Sequence, residues 1–200
     1  MNKVHGMFIV IEGLDGAGLS TQAGLLNDYF LKKSKNVLLT KEPTNGLIGG
    51  LIKAGLKNEW KTDNITLQTL YSADRAHHLA TEIEPALKKN IIVICDRYVL
   101  STLAFGTLDV PLQYLKQINS MFRKPDITLI FDVHPKISIE RIKRSRYSVE
   151  MFETEQKLTQ IRKNYQSLKN YFPNSFLIDA NNPAEQVFKD MVKIIDKKVY

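Results

Sequence analysis

An α/β fold, with a five-stranded parallel sheet covered by helices on both faces, is what this sequence predicts, and three observations predict it. Five short apolar runs, at residues 8–11, 37–39, 91–95, 127–131 and 176–178, alternate with longer stretches of helical spacing. Strands that are apolar at nearly every position are those buried from both sides, as in parallel sheets with helical crossovers. The first run opens into Gly13-Leu14-Asp15-Gly16-Ala17-Gly18-Leu19-Ser20-Thr21, a glycine loop followed by a helical pattern from Ser20. Acids and an arginine follow the runs, where the carboxyl ends of an open α/β sheet form a ligand crevice.

The elements between the strands follow from spacing and proline. Leu67, Leu70, Tyr71, Asp74 and His78 fall on neighbouring turns of one helix, and Ile161, Tyr165 and Leu168 on those of another. Pro85 lies inside a helical pattern and should kink or restart it. Pro111 and Pro135 each open a helix. The chain reads as one domain over residues 1–200, without repeat, low-complexity tract or linker.

Composition narrows the function classes. Hydrophobic content of 44% and charged content of 24% suit a water-soluble globular domain. No apolar run approaches the ~18–20 residues of a membrane span, and Met1-Asn2-Lys3-Val4-His5 lacks a signal-peptide pattern. The single cysteine, Cys95, excludes an internal disulfide, reads as a buried strand residue and fits a reducing compartment, so the cytoplasm is expected. The net charge of +7 is scattered, densest at Arg141-Ile142-Lys143-Arg144-Ser145-Arg146. Small polyanions such as nucleotides explain that pattern at least as well as nucleic acid does, and neither nucleic acid nor membrane is an expected partner.

The glycine loop fits the phosphate-binding frame G-x-x-x-x-G-K-[ST] at Gly13, Gly18 and Ser20 and departs from it at Leu19. Strand, loop and helix start converge backbone N–H groups on a polyphosphate. Leu19 removes the ammonium that would reach the β- and γ-phosphates. After the other strands come Lys41-Glu42-Pro43, Asp96-Arg97-Tyr98, Asp132-Val133-His134 and Asp179-Ala180-Asn181. Acids and an arginine around a P-loop are the parts of a Mg²⁺–nucleotide phosphoryl-transfer site. Ser20, with Thr21 beside it, is placed to give its hydroxyl to the metal.

In this order the residues resemble the thymidylate kinase family, from about Phe8 to the C-terminus. Residues 8–16 resemble its first strand and P-loop, and Lys41-Glu42-Pro43 its substrate-side loop, where arginine is the more usual first residue. Leu70-Tyr71-Ser72-Ala73-Asp74-Arg75-Ala76 resembles the base-stacking helix, and Asp96-Arg97-Tyr98 through Phe105 the signature after the third strand. Residues 125–133 resemble the fourth strand, and Arg144, Arg146, Phe152 and Glu153 the lid and the helix after it.

The resemblance implies a nucleoside-monophosphate kinase fold with a small lid near residues 141–153, and transfer of the γ-phosphoryl of ATP to dTMP with Mg²⁺. Gly13, Gly16, Ala17, Gly18, Leu19, Ser20 and Thr21 would hold the ATP phosphates, and Ser20 with Asp96 the metal. Asp15 would meet the sugar 3′-hydroxyl, and Arg97 would bridge donor and acceptor phosphates. Glu42, Pro43 and Ser101 would join the dTMP site, Tyr71 would stack on thymine, Arg75 would donate to its O4 edge and Thr102 would serve its other polar edge. Phe105, where tyrosine is common, would lie near the deoxyribose, and Gly106 replaces a frequent glutamine. Arg144 and Arg146 would be catalytic lid cations. A homodimer through helices near residues 47–56 and 65–79 is also implied. Leu19 keeps a non-catalytic nucleotide binder open as an alternative, and Phe105 with Gly106 a kinase for another monophosphate.

Overall fold

The computed structural model describes residues 6–145 and 154–199. Five parallel strands form one sheet in the order β2-β3-β1-β4-β5. They are β1 (Phe8–Gly13), β2 (Val37–Lys41), β3 (Ile92–Asp96), β4 (Ile127–Asp132) and β5 (Ser175–Asp179), one for each apolar run. All six residues of the central β1 are buried, which requires cover on both faces. That cover includes α1 (Leu19–Lys32), which packs on β1, and α5 (Val99–Gly106), which reaches β1 and also packs on α8 (Glu155–Leu168). The edge strands β2 and β5 are only partly buried, and Leu39 and Leu177 reach solvent there.

Proline and glycine set the remaining boundaries. After α2 (Leu47–Leu56), α3 (Asn64–His78) passes through a π turn at Leu79–Ile83 into α4 (Glu84–Lys88), so the helix is re-registered just before Pro85. Pro111 stands at the N-cap of α6 (Leu112–Ile118), and Pro135 is the first residue of α7 (Pro135–Ser145), so each opens a helix as expected. The remaining helix is α9 (Ala184–Val199). Asp63 caps α3 by accepting from the Thr66 N–H at 2.8 Å, which satisfies one donor that the helix itself leaves free.

The sheet's register brings three strand exits together. Gly18, at φ 88°, is the left-handed N-cap of α1, and Gly16, at φ 73°, sits against α7. A Cβ on Gly16 would lie 2.6 Å from the Ser138 carbonyl oxygen, so side chains are excluded from that approach. Ser138 Oγ donates to the Asp15 carbonyl at 2.5 Å and fixes the loop from behind. The Arg97 N–H donates to Ile11 O at 2.9 Å and the Glu42 N–H to Asp96 O at 3.0 Å, lacing the ends of β1, β2 and β3 side by side. Among the described residues no helix is long and apolar enough to cross a membrane.

Candidate active site

One cleft of about 770 Å³ opens over those strand exits. On one side it is lined by the P-loop from Leu14 to Thr21, except Ala17, which is buried in the core. Beside the loop lie Asp96, Arg97 and Ser101 from the β3–α5 turn, and the lining continues through Tyr71, Arg75, Thr102 and Phe105 to Glu42 and Pro43 from the loop after β2. Gly13 lies just below, where a Cβ would meet the Phe131 carbonyl at 2.7 Å. The fold thus gathers most of the residues the sequence singled out, and Arg141, where the expected lid begins, also lines the cleft. Arg144 is exposed at the end of α7 and does not line the cleft, and Arg146, Phe152 and Glu153 lie outside the described residues.

Arg97 is fixed by three side-chain hydrogen bonds. Its Nη2 donates to Asp15 Oδ1 at 2.7 Å, and its Nη1 to the Gly13 carbonyl at 2.8 Å and to Ser101 Oγ at 3.2 Å. Burial alone would weaken its charge, but Asp15, then Tyr165, Asp96 and Glu12, hold the guanidinium protonated more firmly than usual. Its backbone has φ 72°, a left-handed conformation rare outside glycine. The Phe105 ring lies 5.2 Å from the guanidinium carbon.

Beneath it sits Glu12, fully buried and not singled out by the sequence. Its Oε1 accepts from the Tyr98 N–H at 3.0 Å and its Oε2 from Ser101 Oγ at 2.5 Å. The Tyr165 hydroxyl lies 3.3 Å from Oε2 and 2.8 Å from Ser101 Oγ. Burial pushes the Glu12 carboxyl up to about 7, against the pull of the Ser101 hydroxyl, Arg97 and Arg75. A single apolar-flanked Glu before the glycine loop reads as strand sequence, so only the fold reveals this hub.

Farther along the lining, Arg75 is fully buried. Its Nε donates to Glu42 Oε2 at 2.8 Å, its Nη2 to Thr102 Oγ1 at 3.0 Å, and its Nη1 pairs with Asn119 Oδ1. Thr102, expected to face a base, therefore first receives Arg75. Glu42 also meets His78 Nδ1 at 3.1 Å, and the Glu42–Pro43 peptide is cis. Lys41, Lys53 and Lys57 bring further positive charge to this end; the amine of Lys53 donates to Thr44 O and to Asn45 Oδ1, each at 2.7 Å.

Two groups of atoms bear on metal binding. Ser20 Oγ donates to Asp96 Oδ2 at 2.5 Å, a hydroxyl and a carboxylate at the P-loop helix start, the hard oxygen donors that suit Mg²⁺. Glu42, His78 and Cys95 also cluster, with ligand atoms within 4.8 Å of one another. There Arg75 already supplies the countercharge, and burial pushes the Cys95 thiol up well above its usual range, so it stays protonated and ligates poorly. The later strand exits are structural. Asp132 receives Arg162 through Nε and Nη2 at 2.6 and 2.8 Å, and Asp179 accepts from the Asn181 N–H at 3.0 Å.

Leu19 begins α1 with its side chain 5% exposed, in the apolar cluster and at the floor of the cleft. A Cβ on Gly13 would touch its Cδ2 at 3.3 Å. The leucine therefore packs on the loop's own backbone instead of extending a charge over it.

The thymidylate kinase family model matches residues 11–191. Probable thymidylate kinases of Pyrococcus horikoshii and Thermococcus gammatolerans are 36% and 35% identical to this chain over 198 and 203 residues. Those matches cover 96% and 97% of this chain and 97% and 98% of the relatives. A probable thymidylate kinase of Pyrobaculum calidifontis is 38% identical over 194 residues, 96% of each chain.

The Glu12 hub yields a pH test. Its folded carboxyl titrates near 7 and its ordinary value is 4.5. Below about pH 4.5 it is neutral in both states, so its contribution to stability is fully present. Between about 4.5 and 7 the unfolded chain ionises first, and the contribution is lost as pH rises, by on the order of 3 kcal/mol. Glu12→Gln stays neutral, so its urea-unfolding free energy should fall less than the parent's between pH 5 and pH 8. Parallel profiles for the two proteins would contradict this.

Proposed function

This chain belongs to the thymidylate kinase family, and from that premise we propose that its cleft moves the γ-phosphoryl of ATP onto the 5′-phosphate of dTMP, giving dTDP and ADP. Phosphorylation of dTMP is the activity of a nucleoside-monophosphate kinase, and the family match covers nearly the whole chain. The observation that carries the residue assignment is Arg97, held between the P-loop's Gly13 carbonyl and Asp15 while facing the same cleft as Tyr71 and Arg75. A cation held rigidly at the P-loop stabilises the charge that spreads over the moving phosphoryl group.

In this reading the P-loop N–H groups hold the donor polyphosphate, and Ser20 with Asp96 would hold Mg²⁺, which neutralises phosphate charge when bound. A phosphate oxygen of dTMP attacks the γ-phosphorus in line, and the bond to the ADP oxygen breaks. Arg97 bridges the two ends, Asp15 orients it and reaches the sugar, Tyr71 stacks on the base and Arg75 donates to O4. Phe105 lies by the sugar. By resemblance a lid near residues 141–153 belongs to the same single kinase domain; residues 146–153 of it lie outside the described residues. Cytoplasmic location is part of the same proposal.

Leu19 sets the sharpest question. A missing charge at the transferring group costs on the order of 10³-fold unless another cation replaces it, by analogy with arginine fingers. Positioning and charge dominate phosphoryl transfer, so Arg144 and Arg146 can substitute from the lid. An ADP-release assay with ATP and dTMP, dUMP or no acceptor should show dTMP-dependent turnover in the parent. Leu19→Lys should raise it by roughly tenfold or less, about 1.4 kcal/mol. Replacing Arg144 and Arg146 together by Ala should lower turnover at least ~10²-fold with dTMP affinity nearly kept. Turnover only in Leu19→Lys would favour the non-catalytic nucleotide binder instead.

Homodimerisation is proposed through α2 and α3. Leu47 is 93% exposed, Leu51 46% and Ile65 55%, an apolar face on two helices packed against each other. Light scattering at micromolar concentration should report about twice the 22.9 kDa chain mass. A species at the chain mass would contradict this.

A further inference from the structure

One buried acid holds Arg97 twice. Arg97 sits at φ 72°, and the N–H groups on either side of its α-carbon both donate to consecutive residues of β1. Its own N–H donates to Ile11 O at 2.9 Å, and the Tyr98 N–H donates to Glu12 Oε1 at 3.0 Å. A left-handed backbone at a residue other than glycine persists only where its surroundings hold it. The first acceptor is a main-chain carbonyl, which any residue at 11 would offer. The second is a side chain, and Glu12 supplies it.

The other oxygen of the same carboxyl acts on the arginine's side chain. Glu12 Oε2 accepts from Ser101 Oγ at 2.5 Å, and Ser101 Oγ accepts from Arg97 Nη1 at 3.2 Å. The Tyr165 hydroxyl, from α8, completes the group at 2.8 Å from Ser101 Oγ and 3.3 Å from Glu12 Oε2. The backbone and the guanidinium of one arginine thus converge, through their neighbours, on the two oxygens of one side chain. Glu12 is fully buried and outside the cleft lining, whereas Arg97 and Ser101 belong to that lining. Any influence of Glu12 on a ligand has to pass through them.

The donor set explains why an acid stands there. An N–H and a hydroxyl point at it, and a carboxylate accepts on both oxygens. Burial pushes this carboxyl up to about 7, a cost that an apolar residue in β1 would avoid. An apolar residue would in turn leave the Tyr98 N–H without an acceptor and Ser101 free to turn away from Arg97.

We propose that Glu12 is a positioning residue for the phosphoryl transfer: through Tyr98 and Ser101 it sets both the backbone and the fork of Arg97. The inference rests on the proposed kinase reaction and adds to it a residue that lies outside the cleft lining.

A double-mutant cycle tests it. The kcat for ADP release, and separately the calorimetric dTMP dissociation constant, are measured for the parent, Glu12→Ala, Glu12→Gln, Arg97→Lys and the double variants, with urea unfolding showing which are folded. Glu12→Ala should lower kcat by about 10²-fold, the scale of a displaced catalytic group, with KM for ATP within about threefold. Glu12→Gln, whose carbonyl oxygen can still accept from the Tyr98 N–H, should return kcat to within about tenfold of the parent. In the Arg97→Lys background Glu12→Ala should cost no more than about threefold further, because the fork it holds is already gone. A merely structural role lowers the folded fraction by the same factor in both backgrounds. Equal losses there, or a Glu12→Ala variant within about threefold of the parent, overturn the proposal. If Glu12→Ala does not fold, Glu12→Asp takes its place under the same criteria, since a carboxyl one methylene shorter cannot hold both partners. A parent that binds dTMP but releases no ADP contradicts the kinase reading, and the cycle read from dTMP affinity then decides Glu12: non-additive losses support it and additive losses overturn it. A parent that neither binds dTMP nor releases ADP overturns both.

Discussion

Everything around the cleft depends on the guanidinium of Arg97 being tied to the P-loop on two sides. One arm reaches the Asp15 carboxylate and the other the Gly13 carbonyl, while its backbone donates to the end of β1. An acid inside a phosphate loop would repel a polyphosphate. Beside Arg97 its charge is compensated, and it fixes the orientation of the guanidinium at the cleft. Positive φ at Arg97 is a strained conformation that surrounding contacts must maintain. Glu12, Ser101 and Tyr165 supply them from below, because Ser101 touches both Glu12 and Arg97.

The same dependence explains how a leucine is tolerated where a lysine is the rule. Leu19 packs its apolar side chain against the loop backbone at the head of α1, so it supports the loop's shape without supplying charge. Backbone N–H groups and the helix start still face the anion. In the proposed reaction, compensation then falls to groups outside the loop, Arg97 first among them. Shape and charge, carried together by one lysine in the usual P-loop, are divided here between different elements.

The sequence disclosed what depends on local pattern. Apolar runs marked every strand, and the glycine spacing placed the loop before α1. Residues such as Asp15, Asp96 and Arg97 were legible because strand exits in an α/β sheet converge. Glu12, Gln68, Ser138 and Arg162 were not. Each acquires its role from partners far along the chain: Glu12 from Ser101 and Tyr165, Ser138 from Asp15, Arg162 from Asp132. Gln68 carried no signal in the sequence, and its packing against Gly106 appears only in the fold. Asp132 had the right position after a strand, yet Arg162 holds it with two bonds on the structural side of the sheet.

The most direct test of this account asks whether Arg97 acts through the geometry of its fork or through its charge alone. A lysine keeps the charge but cannot hold Asp15 and the Gly13 carbonyl with one planar group. Steady-state kinetics of Arg97→Lys with ATP and dTMP should show kcat reduced by ~10²-fold or more, with ATP affinity within a few-fold of the parent. A variant that turns over dTMP within about threefold of the parent would show that any cation suffices there, and would contradict the clamp as the organising constraint of the site.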